Sequence, residues 1–253
     1  MLPFIRLSDE ILLPSYMLVL SLTYCIGLVF AFYRAGADDE KRNTALDLAL
    51  AIMIGGFVGA RLLHVFYEQP TFYFENPAEA FKFWRGGFVY YGGFIGALVA
   101  CWLYVRWKKL SFLEWADFYA PVISLGYALG RLGCLLNGCC FGEICDLPWA
   151  IEFNFPGLPT GLRHPTAIYA SVYELCVFAF LIAAEKRPLR VGQLFGLWLL
   201  LHAQGRIFME LFRADDRGPA IFSLSISTWL SLAVMVIALA TLLPKKIGRT
   251  KAP

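Results

Sequence analysis

Apolar segments long enough to cross a lipid bilayer recur along the chain and constrain its fold more than any other feature. A membrane-spanning helix needs about 20 predominantly apolar residues. Seven segments meet this description: residues 11–33, 45–67, 88–106, 113–130, 165–184, 193–212 and 221–243. Only 16% of the residues are charged, against about a quarter in soluble domains. The sequence therefore predicts one all-α integral membrane domain of seven transmembrane helices, covering residues 1–253.

Lysine and arginine are distributed unevenly between the two sets of alternating loops. Thirteen fall on one side and six on the other. Because positive residues are retained in the cytoplasm, this bias predicts the N-terminus outside and the C-terminus in the cytoplasm. Two outer segments stand out. Residues 68–87 form a predicted aromatic-rich arm in the membrane interface, and residues 143–164 form a predicted small extracytoplasmic loop or cap.

Three arginines, Arg61, Arg131 and Arg206, lie within or at the ends of apolar segments. Each costs about 2.5–3.5 kcal/mol on insertion scales if it lies mid-membrane. A single arginine could be satisfied by an acidic partner or by reaching the interface. Three together favour an anionic ligand, because guanidinium groups bind phosphate in a bidentate manner and keep their charge. In a membrane, the abundant anionic ligand is a phospholipid headgroup.

The sixth segment carries a polar stripe at helical spacing. Its members are His202, Arg206, Glu210 and Arg213. A polar stripe in an apolar helix faces the bundle interior or a water-filled cavity. Arg61 and His64 repeat the pattern on a smaller scale in the second segment.

Glycines recur at four-residue spacing, as the pairs Gly55/Gly59, Gly92/Gly96 and Gly126/Gly130. This spacing is typical of closely packed membrane helices. The alternative is the approach of a ligand headgroup to the backbone.

Five motifs occur in the order in which the prolipoprotein diacylglyceryl transferase family has them. They are GARLLHVFY (59–67), RGGFVYYGGFIGA (85–97), GRLGCLLNGCCFG (130–142), RHPTAIYASVYE (163–174) and GRIFMELFR (205–213). The chain resembles this family over most of its length. The resemblance implies a multi-pass enzyme of the bacterial cytoplasmic (inner) membrane. It would transfer the diacylglyceryl group of phosphatidylglycerol to the thiol of the lipobox cysteine of a prolipoprotein and release glycerol phosphate.

The same resemblance implies partners and residue roles. The partners are phosphatidylglycerol, the prolipoprotein signal-peptide lipobox and membrane lipids, with no nucleic acid, no metal and no other cofactor. Arg131 and Arg206 match the family's essential arginines and would hold the phosphate. Together with the buried polar and glycine positions, the family matches give these substrate-binding candidates: Tyr24, Arg61, His64, Gly92, Gly93, Asn137, Gly142, Glu210 and Arg213.

The chain departs from the family where a general base is expected. The family usually has a histidine before the Gly92-Gly93 pair, and this chain has Tyr91. Tyrosine has an ordinary pKa near 10, so Tyr91 is a poorer base. Tyr91 could instead donate a hydrogen bond at the reaction centre. His202 stands where the family commonly has tyrosine and is the alternative base. The catalytic candidates are therefore Arg131, Arg206, Tyr91 and His202.

The missing histidine leaves other functions open. A related transferase with another acceptor or lipid donor is one, and a non-catalytic phospholipid-binding or transport protein is another. Four cysteines near the predicted outer face also have several interpretations. Cys134, Cys139, Cys140 and Cys145 favour a disulfide or packing, with a metal site or a catalytic thiol as alternatives, because the spacing lacks the C-x-x-C pairs typical of zinc sites.

Overall fold

The computed structural model describes residues 2–6, 12–83, 86–153, 159–214, 222 and 224–243, without the side chains of Tyr90 and Tyr91. These residues are mostly helical. Helices α1 to α8 are Ser15–Arg34, Asp39–Leu63, Pro70–Glu75, Tyr90–Trp107, Phe112–Asn137, Thr166–Ala184, Gln193–Glu210 and Ile226–Leu242. A π-helical turn, His64–Glu68, continues α2, and a 3₁₀ turn, Pro77–Phe81, follows α3. The strands β1 to β4 are Phe4–Arg6, Leu12–Pro14, Ile151–Glu152 and Leu162–Arg163.

Each of the seven predicted segments contains one long helix, namely α1, α2 and α4 to α8. The first helix begins at Ser15 rather than at residue 11, because β2 pairs with β1 in an antiparallel ladder. Within the described residues, four helices have the length and composition of a membrane span: Ser15–Arg34, Asp39–Glu68, Phe112–Asn137 and Thr166–Ala184. The apolar helices Gly92–Trp107 and Ile226–Leu242 are shorter. The chain is thus a mostly helical protein with apolar helices suited to a bilayer, and the seven-span topology stays a prediction.

The chain forms two compact units, residues 1–27 with 116–253, and residues 28–115. In the unit of residues 28–115, α2 packs against α4 through glycines. A methyl group on Gly55 would lie 2.6 Å from the carbonyl oxygen of Gly96, and one on Gly59 would lie 2.8 Å from the Gly96 Cα. Such distances leave no room for a side chain, so these glycines let the two backbones approach closely.

In the unit of residues 1–27 and 116–253, helices α5, α6 and α7 share an apolar core. Its buried members are Ala120, Val177, Leu181 and Leu194. Polar contacts align the helices around this core. The Ser171 hydroxyl donates to the Ala128 carbonyl at 2.8 Å, which joins α6 to α5. The Tyr173 hydroxyl donates to the Leu201 carbonyl at 2.8 Å, which joins α6 to α7.

The N-terminus of α7 is capped by a side chain from another helix. Asp117 of α5 accepts hydrogen bonds from the backbone N–H groups of Gly192 at 2.6 Å and Phe195 at 2.7 Å. The first N–H groups of a helix have no partner within the helix, and a carboxylate there also complements the helix dipole. Asp117 therefore positions the start of the helix that carries His202 and Arg206.

The predicted cap contains a strand pair, β3 with β4, in antiparallel register. Residues 141–145 run beside β4 on one side and beside residues 212–214 on the other. The N–H of Gly142 donates to the His164 carbonyl at 3.0 Å, and the N–H of Glu143 donates to the Phe212 carbonyl at 2.9 Å. The loop after α5 is thereby tied to the chain that leaves α7.

Candidate active site

Arg131 lies near the C-terminal end of α5, where its guanidinium contacts two side chains. One terminal nitrogen donates a hydrogen bond to the Tyr127 hydroxyl, and the group lies 4.5 Å from the centre of the Tyr127 ring. The other terminal nitrogen lies 3.8 Å from Sγ of Cys140, in the loop after the helix. These contacts use two of the five N–H groups of a guanidinium. The half-buried side chain therefore keeps donor capacity for a ligand.

His202 of α7 is held between two aromatic rings. The Tyr127 ring meets it edge to face at a centroid distance of 4.6 Å. The Trp198 ring, one turn earlier on α7, stacks on it at 5.3 Å with an interplanar angle of 29°. Tyr127 thus connects the guanidinium of Arg131 to the imidazole of His202.

Glu174 of α6 contacts the imidazole of His202. It is 1% exposed, and its Oε2 lies 3.0 Å from Nδ1 of His202. Its Oε1 accepts a hydrogen bond from Nε1 of Trp198 at 3.0 Å and lies 3.2 Å from the Ser124 hydroxyl. Burying a carboxylate is costly unless donors surround it. These contacts on both oxygens account for the position of Glu174 inside the helix bundle.

Glu174 is not among the site residues predicted from the sequence, although the sequence carries a signal for it. It is the only carboxylate of α6, a helix otherwise built from apolar and small residues. A lone ionisable residue in a membrane helix marks a functional position by default. Its partner on α7 follows only from the packing of α6 against α7.

Arg206 lies one turn after His202 on α7. Its guanidinium donates a hydrogen bond to the Ser227 hydroxyl of α8. Positions four apart on a helix are neighbours, so Arg206 belongs to the same face as His202. Glu210, half-buried, ends the helix on this face.

The predicted stripe needs a correction at Arg213, which lies beyond the end of α7. It forms an isolated antiparallel bridge with Gly142. The physical reason is that the backbone after Glu210 bonds to the cap loop rather than continuing the helix. Arg213 is therefore positioned by the cap and not by helical periodicity.

Gly142 occupies a site where three chain segments meet. A methyl group on it would lie 2.6 Å from the Phe212 carbonyl oxygen and 2.9 Å from the His164 carbonyl oxygen. The structure therefore explains this glycine by close backbone packing. Of the other candidates in this unit, Asn137 is exposed at the last position of α5, and Tyr24 is half-buried on α1.

Three cysteines converge beside Arg131. The Sγ atoms of Cys134, Cys139 and Cys140 all lie within 4.8 Å of one another, and the three residues are free thiols. Hydrogen bonds with the Cys134 and Cys139 thiols lower the pKa of the Cys140 thiol well below its ordinary value, and the charges of Arg213 and Arg131 act in the same direction. The predicted group of four cysteines is thus a group of three, and Cys145 pairs its backbone with β4 instead.

Arg61, in the unit of residues 28–115, has a structural environment that differs from that of Arg131. All five of its N–H groups are directed at backbone carbonyls of the arm. The acceptors are Glu79, Ala80, Lys82, Gly86 and Gly87. The side chain is 8% exposed. This saturation argues against a phosphate ligand role and assigns Arg61 to holding the arm on the end of α2.

His64 supports the same arm. Its Nδ1 is paired with the Glu68 carboxylate, one turn later in the π-helical turn. Its ring packs edge to face on Tyr73 of α3 at 5.7 Å. Gly87 lies directly against the imidazole with a φ of +80°, so that a side chain there would meet His64. His64 is therefore part of the arm's attachment.

Gly92 and Gly93 face α2. A methyl group on Gly93 would lie 3.3 Å from the Gly56 carbonyl oxygen, and Gly92 lies against the backbone of Gly59. The geometry explains both by helix packing. Tyr91 is in the first turn of α4, and its side chain lies outside the described part of the structure, as do Trp84 and Arg85 of the predicted arm.

Together these residues provide two chemical capacities in one unit. Arg131 and Arg206 offer fixed positive charge, which can hold an anionic group. The His202–Glu174 pair offers a base, because a carboxylate on Nδ1 places the imidazole proton there and leaves Nε2 as a proton acceptor. The arrangement suits a reaction in which a proton is removed and an anionic leaving group is stabilised.

Comparisons with known proteins point to one family. Residues 4–243 match the family model described as prolipoprotein diacylglyceryl transferase. The chain is similar to the phosphatidylglycerol–prolipoprotein diacylglyceryl transferase of Azoarcus sp., at 38% identity over 78% of this chain and 76% of the relative. It is also similar to the enzymes of that name from Cupriavidus pinatubonensis, at 36% over 77% and 71%, and Clostridium tetani, at 33% over 85% and 87%.

Proposed function

Since the chain belongs to the prolipoprotein diacylglyceryl transferase family, we propose that it transfers the diacylglyceryl group of phosphatidylglycerol to a prolipoprotein cysteine. The acceptor is the lipobox cysteine, and the protein works as a multi-pass enzyme of the bacterial inner membrane. The observation that carries the proposal beyond the family match is the chain of contacts from Arg131 through Tyr127 and His202 to Glu174. A purely structural arginine would resemble Arg61, with every donor occupied.

The reaction breaks one bond and forms one. The thiolate sulfur attacks the glyceryl carbon, a carbon–sulfur bond forms, and the carbon–oxygen bond to the phosphate breaks. Glycerol phosphate leaves with the bonding electrons. The thiol proton must be removed, since the thiolate is the nucleophile.

Arg131 and Arg206 hold the phosphate in this proposal. Arg131 lies one turn after Tyr127 on α5, and Arg206 lies one turn after His202 on α7, each near the C-terminal end of its helix. Fixed guanidinium groups in a low-dielectric site stabilise the charge that develops on the leaving group without reorganising. This role is supported because the described contacts of Arg131 and Arg206 leave some of their N–H groups unused, whereas Arg61 uses all five.

His202 acts as the general base, and Glu174 positions it. The carboxylate orients the ring and stabilises the imidazolium formed when the thiol proton is taken up. Positioned bases typically contribute about 10²- to 10⁴-fold to a rate. Tyr91 does not act as the base in this proposal and instead donates a hydrogen bond from its hydroxyl to the substrate.

Further candidates of the same unit bind the substrate around this centre. Tyr24, Asn137, Glu210 and Arg213 contact the headgroup or the acceptor, and Gly142 shapes the cap beside them. In the unit of residues 28–115, Gly92 and Gly93 keep α2 and α4 in close contact, and Arg61 and His64 hold the arm.

A reconstituted assay tests the function. The full chain is placed in vesicles containing phosphatidylglycerol and supplied with a lipobox peptide, and the peptide mass is followed. We expect the mass to increase by one diacylglyceryl group. A peptide with serine in place of cysteine, and vesicles without phosphatidylglycerol, are the controls. A peptide that stays unmodified, or is modified without phosphatidylglycerol, contradicts the proposal.

A variant pair tests the phosphate role of Arg131. Lysine keeps the charge but loses the bidentate geometry, so Arg131→Lys should lower the rate by about 10²- to 10³-fold, the cost of losing one preorganised donor. Arg187→Lys, at an exposed position after α6, is the matched control and should retain the wild-type rate. Equal rates for the two variants would remove Arg131 from the mechanism.

A further inference from the structure

A cluster of three cysteine thiols lies beside Arg131, and the proposed transfer mechanism does not use it. Its members come from two segments, the last turn of α5 and the loop that follows. Their sulfur atoms lie within 4.8 Å of one another. All three side chains are partly buried. We name Cys134, Cys139 and Cys140 the trithiol cluster.

The local backbone folds so that these sulfurs meet. Gly138 has a φ of +76°, and the Cys139 N–H donates to the Cys134 carbonyl at 3.2 Å. This is the pattern of a Schellman turn at a helix C-terminus, which reverses the chain over the last helical turn. The reversal brings Cys139 back onto Cys134.

Cys140 is held in a backbone conformation that side-chain-bearing residues seldom adopt. Its φ is +60°, which costs roughly 1–2 kcal/mol for an L-residue other than glycine. The Thr166 hydroxyl donates to its carbonyl, and Arg131 contacts its sulfur. A strained conformation that persists because its surroundings hold it is typical of functional sites.

We propose that the trithiol cluster is a binding site for one thiophilic metal ion, of which Zn²⁺ is the representative. Zn–S bonds of about 2.3 Å place thiolates around a single ion at separations a little under 4 Å, and the observed cluster requires only small side-chain shifts to reach them. A disulfide uses two sulfurs and leaves the third without a role, whereas a metal uses all three.

Charge and coordination also fit a metal. Three thiolates around Zn²⁺ carry a net charge of −1, which the guanidinium of Arg131, 3.8 Å from the Cys140 sulfur, offsets. Within the described part of the chain, these three cysteines are the set of His, Cys, Asp or Glu side chains whose ligand atoms lie close enough together to bind one metal ion. A site with three protein ligands keeps one position for water or another ligand, and soft thiolate donors select zinc and Cu(I) over magnesium or calcium.

Metal content of the purified protein tests the proposal independently of transfer activity, so that it can fail while the proposed function stands. The full-length protein is reduced, exposed to Zn²⁺ and desalted, and zinc is measured by mass spectrometry. We expect about one ion per chain. Cys134→Ser, Cys139→Ser and Cys140→Ser should each lower the content at least tenfold, whereas Cys145→Ser, outside the cluster, should retain it.

A second measurement on the unmodified chain covers the case in which a variant fails to fold. Zn²⁺ should protect three cysteines from alkylation, and peptide mapping should identify them as the trithiol cluster, with Cys145 alkylated at an unchanged rate. Three results would overturn the proposal. They are wild-type protein that binds no zinc, zinc retained by all three variants, and a disulfide within the cluster, seen as a loss of 2 Da, in place of bound metal.

Discussion

Replacing Glu174 by glutamine changes one oxygen of a buried carboxylate into an amide nitrogen and leaves the shape unchanged. The amide can be placed in two ways. In one, its oxygen keeps the contacts to Trp198 and Ser124, and its NH₂ group faces Nδ1 of His202. In the other, the NH₂ group faces the Trp198 N–H, so that two donors oppose each other 3.0 Å apart.

The second orientation leaves buried donors without acceptors and costs about 1–3 kcal/mol, so the first should dominate. Nδ1 must then accept a hydrogen bond, which moves the imidazole proton to Nε2. His202 can no longer receive a proton there. We therefore expect Glu174→Gln to lower the transfer rate by about 10²- to 10⁴-fold, the contribution of a general base, while the helix content stays that of the wild type.

Two assays check this reasoning. The first is the transfer rate, with Glu114→Gln, an exposed carboxylate at the start of α5, as the matched control. The second is ¹⁵N NMR of histidine-labelled protein, which is tractable because the chain has three histidines. The ¹⁵N shifts of His202 should show the proton on Nδ1 in the wild type and on Nε2 in the variant. A Glu174→Gln variant with the wild-type rate and tautomer refutes the role of the pair.

Three further substitutions have expected outcomes. Gly55→Ala brings a methyl group 2.6 Å from the Gly96 carbonyl oxygen and should destabilise the α2–α4 pair by about 1–3 kcal/mol in thermal unfolding. The control is Gly56→Ala, whose methyl group would lie 3.5 Å from the nearest carbonyl oxygen and should leave the stability unchanged or slightly raised. Equal stabilities of the two variants would contradict the close packing at Gly55. Arg61→Lys can donate to at most three of the five arm carbonyls. The rate of proteolytic cleavage within residues 77–83 should therefore rise about tenfold or more. An unchanged cleavage rate would show that Arg61 does not hold the arm. Tyr91→Phe should lower the transfer rate about tenfold, the order of one lost hydrogen bond; an unchanged rate removes the hydroxyl from the reaction.

The helices were predictable because their signal is local. Apolar runs of sufficient length indicate spans whatever surrounds them, and each predicted segment contains a long helix. The glycine spacing also predicted close packing, which the pairs Gly55/Gly59 and Gly92/Gly96 confirm. For the pair Gly126/Gly130 this prediction is wrong, because a methyl group on Gly126 would lie 3.9 Å from its nearest neighbour and one on Gly130 would have no atom of the described residues within 4 Å. The end of α7 was predicted less well, since hydrogen bonds to the cap, and not periodicity, place Arg213 outside the helix.

The roles of the buried arginines could not be separated from sequence alone. Arg61 and Arg131 occur in similar apolar surroundings, yet the partners of Arg61 lie 18 to 26 residues away in the arm. Backbone carbonyls carry no sequence signal, so nothing in the motif indicated that they saturate this guanidinium. Likewise, the partners of Glu174 depend on the packing of α6 against α5 and α7.

The bond that breaks during transfer is the most direct test of the central claim. Wild-type protein is supplied with phosphatidylglycerol and a lipobox peptide, and the products of both substrates are counted in the same reaction. Cleavage between carbon and oxygen predicts one diacylglyceryl thioether on the peptide for every glycerol phosphate released, in a one-to-one ratio. Free diacylglycerol with a phosphorus-containing peptide, a peptide that gains only a fatty acyl group, or glycerol phosphate release without peptide modification would contradict the account.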